Sequence, residues 1–192
     1  MTRVKELQPS NQEASKALTR LNKAMKDSSK VDMCDVDVKL ANIKDAGNKR
    51  FTEKNFPEAI IKFSEGIDLY LKDPETFKGD KDVKLKVTQL YTNRSLAHHQ
   101  LGQQEQAMAD ADHVLKQLDP ANVKALNRRA VALKVLGKVE DSIRDFQALM
   151  KANPAGEKDY QKELDELLKK LVEKQAAAKK QAAQPQAPPQ KI

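Results

Sequence analysis

Short breaks recur along this chain at a nearly constant interval, and that interval limits the fold more than any other feature. Gly102 with Glu105-Gln106-Ala107-Met108, and Gly137 with Glu140-Asp141-Ser142-Ile143, each join one helix-length segment to a second. Phe56-Pro57-Glu58-Ala59-Ile60 does the same earlier, and Pro120 and Pro154 close the second and third units. Gly102 to Gly137 is 35 residues, and Pro120 to Pro154 is 34. A helix pair repeated at that period must stack, because one pair cannot bury its apolar face alone. Gly47, Ser95 and Ala130 are small enough to permit close helix approach. Ala59 and Ala107 follow their turns, and Phe63 and Phe146 fill the space between helices.

The first unit departs from the period. Ala59 to Ala107 is 48 residues, about 14 more than a standard repeat of this length class. The surplus lies around LKDPETFKGDKDVKLK, where Pro74 and Gly79 break the helix. The expected result is an extended second helix, a loop and an extended third helix. After Pro154, Tyr160, Leu164, Leu167, Leu168 and Leu171 fall at helical spacing, which suits a terminal helix covering the last apolar face. Residues 10–27 read as a short amphipathic helix, with Ser10 and Glu13 in a capping-box pattern. Residues 28–38 read as a polar linker, and residues 176–192 as a disordered Ala/Gln/Pro-rich tail. The expected organisation is a head over 1–38, a repeat domain over 39–175 and a tail over 176–192. Within the domain the repeats fall near 39–72, 83–120 and 121–154, with a capping helix at 157–175.

Composition narrows the function classes. The charged fraction is 33%, the aromatic fraction 4%, and the formal net charge +7. A basic balance suits nucleic acid, anionic lipid or an acidic protein segment, but there is no aromatic stacking platform or RNA-binding motif, so nucleic acid is disfavoured. No apolar run approaches the ~20 residues that span a bilayer. The first residues, MTRVKELQPSNQE, lack the apolar stretch of a secretory signal, making the cytosol the default expectation. Cys34 stands alone, excluding an intrachain disulfide or a CxxC metal site. His98 and His99 are adjacent and point to different helix faces, so they do not chelate one metal together. No catalytic signature accompanies Asp110, Asp112, Asp141 or Asp145.

Five polar residues remain. Lys44 and Asn48 stand four apart, as do Lys124 and Arg128, so each pair shares a helix face. With Asn93 they supply hydrogen-bond donors and amides, but no nucleophile and no base. Such a set suits the capture of carboxylates. The stretches KDAGNKRFTEKNFPEAIIKFSEGI, LYTNRSLAHHQLG and VKALNRRAVALKVLGKVEDSIRDF resemble the three-repeat tetratricopeptide domains of chaperone adaptors. These include the Hop/Sti, Unc and Tom types and the sperm-associated antigen, and the resemblance covers residues 39 to about 153.

That resemblance implies an all-α, three-repeat helix-turn-helix solenoid with a C-terminal capping helix. It implies a non-catalytic adaptor that needs no cofactor or metal. In it a dicarboxylate clamp of Lys44, Asn48, Asn93, Lys124 and Arg128 would bind the C-terminal Glu-Glu-Val-Asp tail of heat-shock protein 70 or 90. Phe51 is read either as lining the groove or as core. Arg94 and Arg129, each following a clamp residue, are read as packing or salt-bridge residues. The alternatives are a scaffold for other protein partners and, less favoured, a basic RNA-binding protein. The segment LQPSNQEASKALTRLNKAM resembles the end of another repeat unit, which is compatible with a piece of a protein holding several such domains.

Overall fold

The computed structural model describes residues 9–182, apart from residues 76 and 78. Seven α-helices follow one another among the described residues: α1 (Pro9–Thr52), α2 (Phe56–Leu71), α3 (Lys81–Gln100), α4 (Gln104–His113), α5 (Val123–Val135), α6 (Val139–Ala152) and α7 (Glu157–Ala182). Each packs on the next, and α3 also touches α1 and α5, so these three first helices form one layer. The turns within the second and third pairs use Gly102 and Gly137 at φ 74° and 71°, a left-handed backbone that glycine adopts without cost.

Two apolar clusters fill the stack. The first joins Leu40, Phe63, Ile67, Val83, Val87, Leu90 and Val114; the second joins Ala130, Ile143, Phe146, Leu149, Leu164 and Leu167. Gly47 lets α1 approach α2, since a Cβ placed there would overlap the Phe63 ring. Leu164 and Leu167 of α7 close the end of the second cluster.

Two arginines tie the repeats together. Arg94 donates from Nε and Nη2 to both carboxylate oxygens of Asp110, at 2.9 and 2.6 Å, and from Nη1 to Ser64 Oγ at 2.9 Å. Arg129 repeats the pattern 35 residues on: Nε and Nη2 donate to Asp145, both at 2.7 Å, and Nη1 donates to Asp112 at 2.7 Å. Each arginine thus joins its own pair's second helix to the second helix of the preceding pair. Asp110 and Asp145 are both buried, so a planar fork that satisfies both oxygens is what makes their burial tolerable. Donation to Asp145 above all holds the Arg129 pKa above the usual arginine range.

The mismatch between the 35- and 34-residue intervals has a physical location. Arg94 to Arg129 and Asp110 to Asp145 keep 35, so the extra residue falls between Asp110 and Pro120. There α4 runs into a π-helical turn at Val114–Leu118, with Asp119 N donating to Val114 O at 2.7 Å. A π turn absorbs one residue without breaking the helix.

Two expectations at the ends are corrected. Residues 28–38 are not a linker: α1 continues through them without interruption. The reason lies far away in sequence, in the extended start of α3. Leu40 is fully buried and Val36 packs against the cluster containing Phe77, Val83 and Val87. Lys86 of α3 pairs with Asp37 at 2.5 Å, and Lys39 with Asp35 at 2.5 Å one turn back. A polar segment free of Pro and Gly stays helical once its neighbours are helical, because propagation is cheap after nucleation. At the other end α7 continues past 175 to Ala182 through Ala-rich sequence of high helix propensity. Residues 183–192 of the tail lie outside the described residues, as do residues 1–8.

Removing the Arg129 fork leaves Asp145 buried and unpaired, so Arg129→Ala should lower unfolding free energy by about 3–5 kcal/mol in urea titration. Asp112 adds a pH dependence. Burial works against its carboxylate, yet hydrogen bonds from Lys116 and Arg129 hold its pKa below the usual range. Its contribution is therefore present above the unfolded value of about 3.9 and lost as pH falls through the lower folded value. The urea midpoint should drop below about pH 4, and Asp112→Asn should shrink that drop.

Candidate functional site

An arginine fork directed at the second helices fixes the rotation of α3 and α5 about their own axes. The residue before each fork then lies about 100° around the helix, away from the second helices. Those residues are Asn93 and Arg128, and one turn earlier on the same faces stand Gln89 and Lys124. Asn93 and Arg128 are 35 residues apart, as are Gln89 and Lys124. The layer of first helices carries three pairs: Gln89 with Asn93 on α3 and Lys124 with Arg128 on α5 in the same register, and Lys44 with Asn48 on α1, 45 residues before the α3 pair and beside it.

Hydrogen bonds join the first two pairs. Asn93 Nδ2 donates to Asn48 Oδ1 at 2.8 Å, and Lys44 Nζ donates to Gln89 Oε1 at 3.3 Å. Lys44 also has Asp45 at 3.8 Å, an exposed carboxylate. Lys124 and Arg128 lie on the adjoining helix, and neither bonds to the other three. Lys124 is exposed and has no ion-pair partner among the described residues.

Arg128 is the anomaly. Its side chain is half-buried, and Nε is enclosed with no hydrogen-bond partner. Burial, with no anion to offset it, pulls the guanidinium below the usual arginine range. An unsatisfied buried donor carries its full desolvation cost. Arg129, one residue on, has its fork filled by two carboxylates. The contrast is between a structural arginine already occupied and one that lacks an acceptor.

The other residues singled out from sequence take quieter places. Phe51 is half-buried, leans on the first core cluster and meets Phe56 edge-to-face with centroids 5.2 Å apart. His98 and His99 bond Gln103 and Gln104 at 2.7 and 2.8 Å, and His113 stacks on Tyr91 at 4.3 Å. No group of three metal-capable side chains occurs among the described residues. Gln89, which accepts from Lys44, is the residue of this layer that sequence reasoning missed. Its signals were its place four residues before Asn93 and 35 before Lys124.

Three stacked helix pairs with a closing helix form the tetratricopeptide-repeat solenoid fold. The chain's likeness to known proteins runs through the same class. It is 33% identical over 129 residues to the DnaJ homolog subfamily C member 7 homolog of Schizosaccharomyces pombe, a match spanning 67% of this chain and 25% of that protein. The chain thus corresponds to about a quarter of that relative's length. Among solved structures it resembles the second TPR domain of human RPAP3, in complex with the HSP70 peptide SGPTIEEVD. That likeness has a TM-score of 0.53 and 27% identity over 65% of this chain and 91% of that one. It also resembles the myosin chaperone UNC-45 of C. elegans, in complex with an Hsp90 peptide, with a TM-score of 0.59 and 28% identity over 70% of this chain and 14% of that one. No family model matches the chain.

Because Arg128 is desolvated without a partner, removing its charge should not harm the free protein. Arg128→Met should leave the melting temperature unchanged or raise it, by up to about 1 kcal/mol in stability. Differential scanning calorimetry of this variant beside Arg129→Ala separates the two arginines directly.

Proposed function

We propose that this domain is a non-catalytic chaperone adaptor that captures the C-terminal Glu-Glu-Val-Asp tail of heat-shock protein 70 or 90. The clamp is formed by Lys44, Asn48, Asn93, Lys124 and Arg128. The observation that carries the reading is the half-buried guanidinium of Arg128, whose enclosed Nε has no acceptor. A carboxylate supplies both the missing acceptor and the missing charge.

A terminal Asp presents two carboxylates, one from the main chain and one from the side chain. The pair of amides and Lys44 on α1 and α3 suit one of them, and the cations of α5 suit the other. Arginine offers a planar fork, while lysine and asparagine offer adjustable single donors. Charge-assisted hydrogen bonds contribute about 1.5–3 kcal/mol each. Four or five of them, less the cost of desolvation and of ordering a peptide, correspond to roughly micromolar affinity. The peptides held by the RPAP3 and UNC-45 domains support the same ligand class.

No nucleophile or base stands among the five, so the site holds its ligand unchanged. A cytoplasmic setting follows from the chaperone partners. No described helix is long and apolar enough to cross a membrane.

A labelled peptide ending Met-Glu-Glu-Val-Asp, titrated by fluorescence anisotropy, should bind at roughly micromolar Kd, and its C-terminally amidated twin should bind far more weakly. Arg128→Ala should cost about 1–3 kcal/mol of binding, a loss of roughly tenfold to a hundredfold. Equal binding by the free and amidated peptides would remove the carboxylate reading.

A further inference from the structure

Gln89 occupies the one position in the three pairs that the carboxylate reading leaves without a role. It lies beside Lys44 and at the α3 place corresponding to Lys124 of α5. A third lysine there would stand against Lys44, and like charges at close range repel. A carboxylate would neutralise Lys44 and repel an incoming anion. An amide does neither, and it offers an acceptor and two donors on one rigid plane.

The geometry uses only half of that plane. Gln89 Oε1 accepts from Lys44 Nζ at 3.3 Å, while Gln89 Nε2 has no acceptor among the described residues. Because the amide is planar, fixing the oxygen on Lys44 turns the NH2 group away from it. The neighbouring Asn93 shows the complementary arrangement: its Nδ2 is spent on Asn48 and its oxygen is left over. The middle helix thus presents one amide NH2 and one amide oxygen between cationic flanks.

We infer that Gln89 is a sixth ligand-contacting residue, and that its Nε2 donates to an acceptor oxygen of the bound peptide preceding the C-terminal residue. This rests on the carboxylate reading of the site. The ligand class it implies is a peptide whose penultimate segment offers a carbonyl or carboxylate oxygen to the centre of the groove. Lys44 is held in place by the same amide, so Gln89 both contacts the ligand and positions a cation.

The test is a double-mutant cycle on the full chain with the Met-Glu-Glu-Val-Asp peptide, read by NMR shift titration so that weak binding stays measurable. Gln89→Leu keeps side-chain volume and removes both polar atoms. It should weaken binding about three- to tenfold, the weight of one neutral hydrogen bond. A loss of similar size should persist in the Lys44→Ala background, because the donor reaches the peptide itself. A neutral Gln89→Leu would overturn the inference, and so would a loss that vanishes once Lys44 is gone. Arg128→Ala is the control that separates the two levels. If it weakens binding while Gln89→Leu does not, only the present inference falls. If neither variant matters, the carboxylate reading falls with it.

Discussion

The architecture depends on a bidentate arginine–aspartate fork repeated at 35 residues. Arg94 with Asp110 and Arg129 with Asp145 each hold a buried carboxylate by both of its oxygens. The third guanidinium nitrogen reaches back to Ser64 or Asp112 on the preceding pair. One side chain therefore sets helix rotation and repeat stacking together. Its consequence for function is geometric: the residue just before each fork must face the opposite way. Asn93 and Arg128 owe their orientation to neighbours that are committed to the aspartates of the second helices.

The fork is confined to the second and third pairs. Counting back 48 residues from Arg94 and Asp110 gives Ala46 and Lys62, which cannot form it. The first pair is oriented by apolar means instead, with Gly47 against Phe63 and Leu40 fully buried. The extra residues around 72–80 belong to this solution. They lengthen α3, place Phe77 on Tyr70, and build the surface on which Val36 packs. Further along α1, Leu18 and Leu21 stand 61% and 58% exposed, so the start of that helix gains little from this domain's core.

Much of this was legible in the sequence because it is periodic. The helix pairs, the glycine turns, the long first connection and the closing helix all follow from spacing and residue size. What the sequence hid was non-local. Nothing within DSSKVDMCDVD reveals that the start of α3 will lie beside it, so a polar composition read as a linker. The π-helical turn was half visible, since 35 and 34 disagree by one residue, but its place required the aspartates as markers. Gln89 carries no motif, and its meaning appears only when the registers of α1, α3 and α5 are set side by side. Spacing separates Arg129 from Arg128 by turning it off the axis of its neighbour, but it does not reveal which aspartates fill the Arg129 fork.

That unpaired guanidinium is the centre of the account. A protein selected only for stability would fill or remove it, and a site that must receive an anion keeps it open at some cost. The most direct test is to observe Arg128 itself. Arginine Nε–Hε resonances can be followed by heteronuclear NMR while the Asp-terminated peptide is added. The account predicts a large downfield shift of the Arg128 Hε, with Arg94 and Arg129 nearly still. A peptide that binds while the Arg128 Hε stays in place would contradict it.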